Sequence, residues 1–261
     1  MTGEVLLGAT GAIAALMLTT WLMSLAWKDA SIVDPVWPFG FVVVAWVTLA
    51  IADGNSGRQW LLVALVTMWG LRLSGYLAWR KRGAPEDFRY QAMRRQYGAR
   101  FGVVSLMTVF VLQGALMWVV ALPVQLGQVR SDPDLGWLAL IGGILWLVGF
   151  GFESIGDAQL ARFKADPSSA GQVMDRGLWR YTRHPNYFGD ACVWWGIALV
   201  AAETRLGTIG IVGAVVMTVL LVRVSGVPML ERTMAKRRPG YAEYVRHTSA
   251  FIPRPPRREP S

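Results

Sequence analysis

Residues 180–190, RYTRHPNYFGD, place an amide and a carboxylate directly before an apolar stretch. Pro185 disfavours helical geometry at His184 and suits the first turn of a helix, so we predict that a helix begins near Pro185. Asn186 and Asp190 then share one helix face, because they are four residues apart. An amide and a carboxylate on one face can bind the amide or the ribose hydroxyls of a nucleotide.

Two cations and a tyrosine complete this cluster. Arg180 and Arg183 precede the predicted helix, and helix N-termini themselves attract anions. Tyr187 lies three residues before Asp190 on the same side of the helix. Arginine, tyrosine and tryptophan also anchor proteins at lipid headgroups, which is the alternative interpretation. Anchoring does not explain an aspartate one turn inside the membrane, so we favour a binding site for a phosphate-containing ligand.

Other polar residues fall within apolar stretches, where each is costly unless it has a partner. Their predicted positions lie at or near the cytoplasmic halves of the spans, so we expect a cavity open to the cytoplasm. Glu153 and Asp157 are four residues apart and share a face, although a solvated helix end is an alternative for Asp157. The set comprises Asp34, Arg72, Glu153, Asp157, Asp190 and Arg223.

The elements that position these residues are predicted to be membrane helices. The chain is 54% hydrophobic and 16% charged, which excludes an ordinary soluble domain. A spanning helix needs about 20 mostly apolar residues. The fold class is therefore all-α, a polytopic membrane protein with seven transmembrane helices. The predicted spans are about 5–27, 33–52, 59–79, 102–124, 136–156, 187–203 and 206–227.

The positive charges orient these spans. With the N-terminus outside, the inside segments 28–32, 80–101, 157–186 and 228–261 hold 21 of the 26 Lys and Arg residues. The positive-inside rule therefore predicts an outside N-terminus and a cytoplasmic C-terminus. This distribution explains the basic net charge of +9 without nucleic acid as a partner.

We predict one integral-membrane domain over residues 1–261. The cytoplasmic tail, 228–261, is expected to hold short helices near 229–236 and 241–247, a turn at Pro239 and Gly240, and a disordered end at about 254–261. One cysteine and two histidines leave little for a metal site, and we predict none.

Four segments resemble a known family. GLWRYTRHPNYFGD (177–190) and RRPGYAEYVRHTSAFIP (237–253) resemble the C-terminal region of membrane steroid 5-alpha-reductases, and the first also resembles sterol C14 and C7 reductases. DASIVDPVWPFGF (29–41) and WGLRLSGYLAWR (69–80) resemble the bacterial branch of that family, the DUF1295 type. The similarity covers nearly the whole chain.

The resemblance implies a seven-helix reductase that binds NADPH from the cytoplasm and transfers hydride to an activated carbon–carbon double bond. It implies that Asp190 faces the nicotinamide amide, and that Arg72 lies near the phosphates. Glu153 stands where the steroid enzymes usually have Asn, and Lys164 where they have a phosphate-binding arginine. The predicted cofactor-binding set is Arg72, Glu153, Asp157, Lys164, Arg180, Arg183, His184, Asn186, Tyr187, Asp190 and Tyr244.

The chain departs from the steroid enzymes at the proton donor. Hydride addition to an enone builds negative charge on the carbonyl oxygen, which needs an acid. The steroid enzymes use a Gln–Glu pair on span two and a tyrosine on span three. This chain has Asp34 without an adjacent Gln, and it has Trp69 at the tyrosine position, with Tyr76 two turns further on. Asp34 and Tyr76 are the predicted catalytic residues, and a helix N-cap before Pro35 is the alternative role of Asp34.

Two questions remain open at this level. The basic loop 80–100 can contact the NADPH phosphates or anionic lipid headgroups. The chain also shares an Arg-His-Pro element and a C-terminal Tyr-x-x-Tyr region with S-adenosylmethionine-dependent isoprenylcysteine carboxyl methyltransferases, and a transporter would use the same buried charges without nicotinamide. The continuation NYFGD favours the reductases. We expect an apolar small-molecule substrate, such as a steroid or another lipid, and a bacterial inner membrane.

Overall fold

The computed structural model is helical. It describes residues 1–52, 57–129, 135–224, 226–227, 231, 234 and 240–257. The longer helices are α1 (Thr2–Trp27), α2 (Val33–Ile51), α3 (Gly57–Lys81), α4 (Phe88–Tyr97), α5 (Phe101–Ser105), α6 (Leu112–Val120), α7 (Leu122–Gly127), α8 (Trp137–Ala165), α9 (Pro185–Ala201), α10 (Ile211–Val219) and α11 (Tyr241–His247). Short 3-10 segments lie at Ala30–Ile32, Gly98–Arg100, Pro167–Ser169, Gly177–Arg180 and Gly207–Gly210. Two π-helical segments, Leu106–Val111 and Leu220–Val224, interrupt the fourth and last apolar stretches.

The chain forms two compact units. The first unit contains Met1–Leu140 and Ile197–Gly213. The second unit contains Ile141–Gly196 and Ala214–Ser261.

Six helical stretches are long and apolar enough to cross a membrane, counted over the described residues. They are Thr2–Trp27, Ala30–Ile51, Gly57–Lys81, Phe88–Val120, Trp137–Ala165 and Gly207–Val224. The predicted span 187–203 corresponds to α9, which has 17 residues and is not among the six. The all-helical membrane class is therefore confirmed, whereas the seventh span and the orientation of the termini stay predictions.

In the first unit, α2 and α3 pack through a close backbone approach. A Cβ on Gly70 would lie 2.8 Å from the carbonyl oxygen of Pro38, so only glycine permits this approach. Phe41 and Trp69 fill the centre of the interface, are fully buried, and have ring centroids 5.8 Å apart. This contact brings the first turn of α2 alongside the last turns of α3.

The first unit also contains an apolar groove of about 610 Å³ between α1 and the fourth apolar stretch. Its walls include Ile13 and Met17 of α1, and Phe110, Gly114 and Trp118 opposite them. Part of that wall is the π-helical segment, and π-helical segments are often found at functional sites. The groove is shaped for an apolar molecule.

In the second unit, glycines set the contact between α8 and α9. A Cβ on Gly149 would lie 2.5 Å from the Gly189 carbonyl oxygen, and a Cβ on Gly196 would lie 2.5 Å from the Gly142 carbonyl oxygen. Both distances are shorter than any carbon–oxygen contact that real side chains make, so larger residues would separate the helices. The two helices that carry the predicted polar cluster therefore pack backbone to backbone.

The C-terminal part of the second unit is only partly described. The predicted short helix at 241–247 is confirmed as α11, whereas the one predicted near 229–236 lies mostly outside the described residues. Gly240 begins α11 with φ +83°, as expected for a turn glycine. Of the end predicted to be disordered, Arg254 N–H donates to Tyr181 O at 2.9 Å and Arg257 N–H donates to His247 O at 3.0 Å, and residues 258–261 lie outside the described residues.

Candidate functional site

Asn186, one of the predicted pair of helix-face residues at the start of α9, contacts α8. The helix begins at Pro185, as predicted. Asn186 Nδ2 donates a hydrogen bond to Asp157 Oδ1 at 3.3 Å. The Asn186 Oδ1 atom is buried and accepts no hydrogen bond from the residues that the structure describes. The carboxamide therefore has one acceptor available for a donor from a ligand.

Three carboxylates of this region are removed from solvent. Glu153 is 2% exposed, Asp157 is 3% exposed and Asp190 is 8% exposed. The alternative of a solvated helix end for Asp157 is therefore wrong. The Glu153 backbone N would lie 2.5 Å from a Cβ on Gly189, so the absent side chain lets α9 approach this part of α8. Buried carboxylates are costly unless they accept hydrogen bonds, and Asp157 accepts one from Asn186.

Arg183 and His184 contact a partner that the sequence did not indicate. Glu231 Oε1 accepts hydrogen bonds from Arg183 Nε at 2.8 Å and from His184 Nε2 at 3.2 Å. Arg183 Nη1 also donates to the Thr248 carbonyl oxygen at 2.5 Å. The His184 ring stacks on Tyr187, with centroids 5.5 Å apart and planes 9° apart. Arg183 and His184 therefore hold the C-terminal segment in place.

The charge state of this contact follows from its partners. Burial raises the pKa of the Glu231 carboxyl, but hydrogen bonds from His184 and Arg183 outweigh burial, so the net pKa lies below its ordinary value. Tyr241 packs nearby, and burial raises the pKa of its phenol to about 12. At neutral pH, Glu231 is therefore a carboxylate and Tyr241 a neutral phenol.

A polar cleft of about 490 Å³ lies in the second unit. Arg180 and Tyr244, both predicted cofactor-binding residues, line it together with Arg176. Tyr244 Oη donates to the Trp179 carbonyl oxygen at 2.5 Å, and Trp179 Nε1 donates to the Gly156 carbonyl oxygen at 3.0 Å. Trp179 therefore joins the cleft to α8, within one turn of Asp157.

The predicted residue Lys164 is exposed in the last turn of α8. Its position at the end of the helix suits a cation, because the carbonyl end of a helix is negative. Its role at the phosphates stays a prediction.

In the first unit, Asp34 lies in a side-chain network. Asp34 Oδ2 accepts a hydrogen bond from Arg89 Nη2 at 2.8 Å, and Asp34 Oδ1 accepts one from Tyr90 Oη at 3.0 Å. Gln113 Nε2 donates to Tyr90 Oη at 3.3 Å. The N-cap of α2 is Ile32, without a side-chain cap, so the capping alternative for Asp34 is wrong.

The other predicted catalytic residue, Tyr76, has cations on both sides. The guanidinium carbons of Arg72 and Arg80 lie 5.5 Å and 5.7 Å from the centre of its ring. Its ring also lies against Trp79, with centroids 5.9 Å apart. These contacts are cation–π and aromatic packing contacts. They place Arg72 on the face of Tyr76.

The predicted site residues fall in both units. Asp34, Arg72 and Tyr76 belong to the first unit, and the remaining predicted site residues belong to the second. Sequence reasoning missed Tyr90 and Glu231, which complete the two networks. Tyr90 lies in the polar loop 80–100, where no apolar periodicity marks α4. Glu231 is 47 residues from His184, and nothing in the local sequence connects them.

Comparisons with known proteins place the chain in a family. A family model described as a protein of unknown function, DUF1295, matches residues 20–248. The chain is also similar to "Uncharacterized protein C594.04c" of Schizosaccharomyces pombe, with 25% identity over 271 aligned positions that cover 90% of this chain and 75% of the yeast protein. No solved structure matches the chain. The family match covers most of the sequence and both networks, and the chain therefore belongs to the DUF1295 family.

Proposed function

We propose that this protein is an NADPH-dependent membrane reductase that saturates an activated carbon–carbon double bond in an apolar substrate. The observation that carries the proposal is the contact between Asn186 and Asp157. It joins the half-buried amide of Asn186 on one helix to the buried carboxylate of Asp157 on another. A nicotinamide carboxamide both donates and accepts hydrogen bonds, so it complements such a pair.

The residues present fit this cofactor. The buried Asn186 Oδ1 atom can accept a hydrogen bond from the nicotinamide NH2 group, and Asp190 lies one turn further along α9. Asp157 can accept from a ribose hydroxyl while it holds Asn186 in place. Arg180 lines the polar cleft, where its guanidinium suits phosphate oxygens. When bound, NADPH supplies the hydride.

The contacts of Asp34 change its proposed role. Asp34, the predicted acid, accepts hydrogen bonds from both Arg89 and Tyr90. This is the arrangement of a carboxylate rather than of a protonated acid. Tyr90 is 5% exposed and carries a phenolic proton. We assign Tyr90 as the proton donor and Asp34 as the residue that orients it. Tyr76, which packs between two arginines, then has a structural role.

The proposed reaction balances with these groups. Hydride adds to the β-carbon of an enone, the carbon–carbon double bond becomes single, and the electron pair moves to the carbonyl oxygen as an enolate. When the substrate binds, the Tyr90 O–H leaves Asp34 Oδ1, to which it donates in the structure, and turns to donate to that oxygen, which then takes the proton. Gln113 Nε2 keeps its hydrogen bond to the phenol oxygen. Water returns the proton to Tyr90, and the enol becomes the saturated ketone.

An apolar substrate is supported by the groove in the first unit. Its volume of about 610 Å³ suits a steroid or isoprenoid skeleton. The helix α6 forms part of its wall at Gly114 and also carries Gln113, which contacts Tyr90. The wall and the proposed proton donor are therefore tied to the same helix.

The location belongs to the same proposal. An N-terminus outside, a C-terminus in the cytoplasm and seven spans would let NADPH enter from the cytoplasm, as the distribution of Lys and Arg indicates. We propose a bacterial inner membrane as the host. The similar yeast protein shows that related chains also occur in a eukaryote.

The test is turnover in lipid vesicles. Purified protein is incubated with NADPH and a panel of steroid and isoprenoid enones, and the products are analysed by mass spectrometry. The proposal expects a product two hydrogens heavier and an equal amount of NADP+. A parallel incubation with S-adenosylmethionine and isoprenylcysteine substrates tests the methyltransferase alternative. A methylated product without NADPH consumption would overturn the proposal.

A further inference from the structure

One end of the first unit carries a dense set of cations. It is formed by the end of α1, the end of α3, helix α4 and the turn that follows it. Contacts between the segments hold them together: Lys81 Nζ lies 2.8 Å from Asp29 Oδ2, and Trp21 Nε1 donates to the Gly102 carbonyl oxygen at 2.9 Å. The Glu86 side chain accepts a hydrogen bond from the Ala30 N–H at 2.8 Å.

The acidic residues at this end are matched by inner cations. Arg94 binds Glu86 through two hydrogen bonds of 2.9 Å and 3.0 Å. Arg89 Nε donates to Asp87 Oδ1 at 2.8 Å. Burial raises the pKa of the Asp87 carboxyl, but the hydrogen bonds from Arg89 outweigh burial, and its net pKa lies below the ordinary value. The acids are thus neutralised by neighbours.

The cations that remain face outwards. They are exposed and carry no matching acid among the described contacts of this end: Lys28, Arg80, Arg82, Arg95 and Arg100. Arg80 also rests on the Tyr76 ring, which leaves its charge in place. The net result is a cationic collar, defined by these residues.

Large aromatic side chains are interleaved with the collar. Trp27 is 63% exposed, Trp79 is 55% exposed and Phe88 is 54% exposed. Trp27 and Trp79 are each adjacent in sequence to a collar residue, and Phe88 begins α4. Exposed aromatic rings next to arginine and lysine are typical of the level of the lipid headgroups, where the ring meets the acyl boundary and the cation meets the phosphate.

The other end of the same helices differs. Arg58, at the start of α3, is fully buried and donates from Nε to the Gly127 carbonyl oxygen at 3.0 Å. Glu203 Oε1 accepts from the Ala139 N–H at 2.8 Å, and Arg205 is the exposed cation among the described residues there. The charge is therefore concentrated at one end of the unit.

We infer that the cationic collar is a binding surface for the headgroups of anionic phospholipids. Charge complementarity identifies the partner, since five outward cations and three outward aromatic rings match a phosphate layer above an acyl layer. Of the two partners considered for the loop 80–100, the NADPH phosphates and anionic lipid headgroups, this inference chooses the lipid headgroups. The inference needs neither NADPH nor turnover, so it stands or falls separately from the proposed function.

The test compares lipid affinities by native mass spectrometry of the full chain released from detergent micelles. The probes are phosphatidylglycerol and phosphatidylcholine with identical acyl chains. The wild type is expected to bind phosphatidylglycerol about tenfold more tightly, because each cation near a headgroup contributes favourably. The variant Arg82→Gln/Arg95→Gln/Arg100→Gln is expected to lose this preference.

Two controls keep the result specific. The variant Arg82→Lys/Arg95→Lys/Arg100→Lys keeps the charge and should retain the preference, and Arg205→Gln changes an exposed cation at the other end and should also retain it. Equal binding of the two lipids by the wild type, or an unchanged preference in the Gln variant, would overturn the inference. Displacement of phosphatidylglycerol by inorganic phosphate or by NADPH would also overturn it, because the site would then serve a soluble anion.

Discussion

Asn186 Nδ2 donates to Asp157 Oδ1 across the α8–α9 contact, at a distance of 3.3 Å. The contact exists because α9 begins at Pro185 and because glycines on both helices let the backbones approach. The amide is fixed by the carboxylate and keeps one buried acceptor, Oδ1, for a ligand. This arrangement is the centre of the proposed cofactor site.

The glycine contact should be sensitive to a single methyl group. Gly189→Ala places a Cβ 2.5 Å from the Gly149 carbonyl oxygen, so α8 and α9 must separate. We expect a loss of about 1–3 kcal/mol of unfolding free energy and weaker NADPH binding. Gly151→Ala is the matched control, since nothing lies within 4 Å of its added Cβ. Thermal unfolding in detergent measures the stability of the two variants. Equal stabilities of Gly189→Ala and Gly151→Ala would contradict the packing argument.

The assignment of Tyr90 as the proton donor predicts different effects for the substitutions of Tyr90 and Tyr76. Tyr90→Phe removes the O–H that Asp34 orients, so we expect reduction to slow by about 100-fold or more, with an unchanged dissociation constant for NADPH. Tyr76→Phe keeps the ring between Arg72 and Arg80 and should have little effect. Single-turnover measurements of NADPH oxidation distinguish them. A slow Tyr76→Phe beside a normal Tyr90→Phe would restore Tyr76 as the acid.

Asp34 is predicted to act through Tyr90. Asp34→Asn keeps the shape but weakens the hydrogen bonds from Arg89 and Tyr90. We expect slower turnover and a pH profile of turnover that shifts relative to the wild type, because the phenol loses its charged neighbour. NADPH affinity should not change. A turnover and pH profile identical to the wild type would remove Asp34 from the mechanism.

We expect the stability of the fold to depend on pH through the contacts of the Glu231 carboxylate. The pKa of Glu231 in the fold lies below its ordinary value of 4.5, because Arg183 and His184 bind the carboxylate. Its stabilising contribution is therefore fully present above pH 4.5 and is lost as the pH falls through the lower folded value. The melting temperatures of wild type and Glu231→Gln should differ at pH 7 and converge in acid. A gap that widens in acid would contradict this sign.

The helices could be predicted because membrane spans are long and apolar. The start of α9 was predicted from Pro185, and α11 at 241–247 was predicted from a short polar pattern between Gly240 and the tail. The predicted span at 187–203 rests on composition alone. The helix found there, α9, has 17 residues, which is short for a crossing helix.

The partners of the site residues could not be predicted in the same way. The pairing of Asp34 with Tyr90 joins positions 56 residues apart, and the pairing of His184 with Glu231 joins positions 47 residues apart. Local spacing carries no information on such contacts, because the tertiary fold decides them. The residue types and helix faces were readable from the sequence, whereas the choice between capping and pairing for Asp34 needed the fold.

The most direct test of the central claim is a binding titration of the detergent-purified protein with NADPH and, separately, with S-adenosylmethionine. The account predicts saturable NADPH binding that raises the melting temperature, no response to S-adenosylmethionine, and a dissociation constant for NADPH at least about tenfold higher in Asp190→Asn and in Asn186→Ala. Stabilisation by S-adenosylmethionine alone, or NADPH binding that both variants leave unchanged, would contradict it.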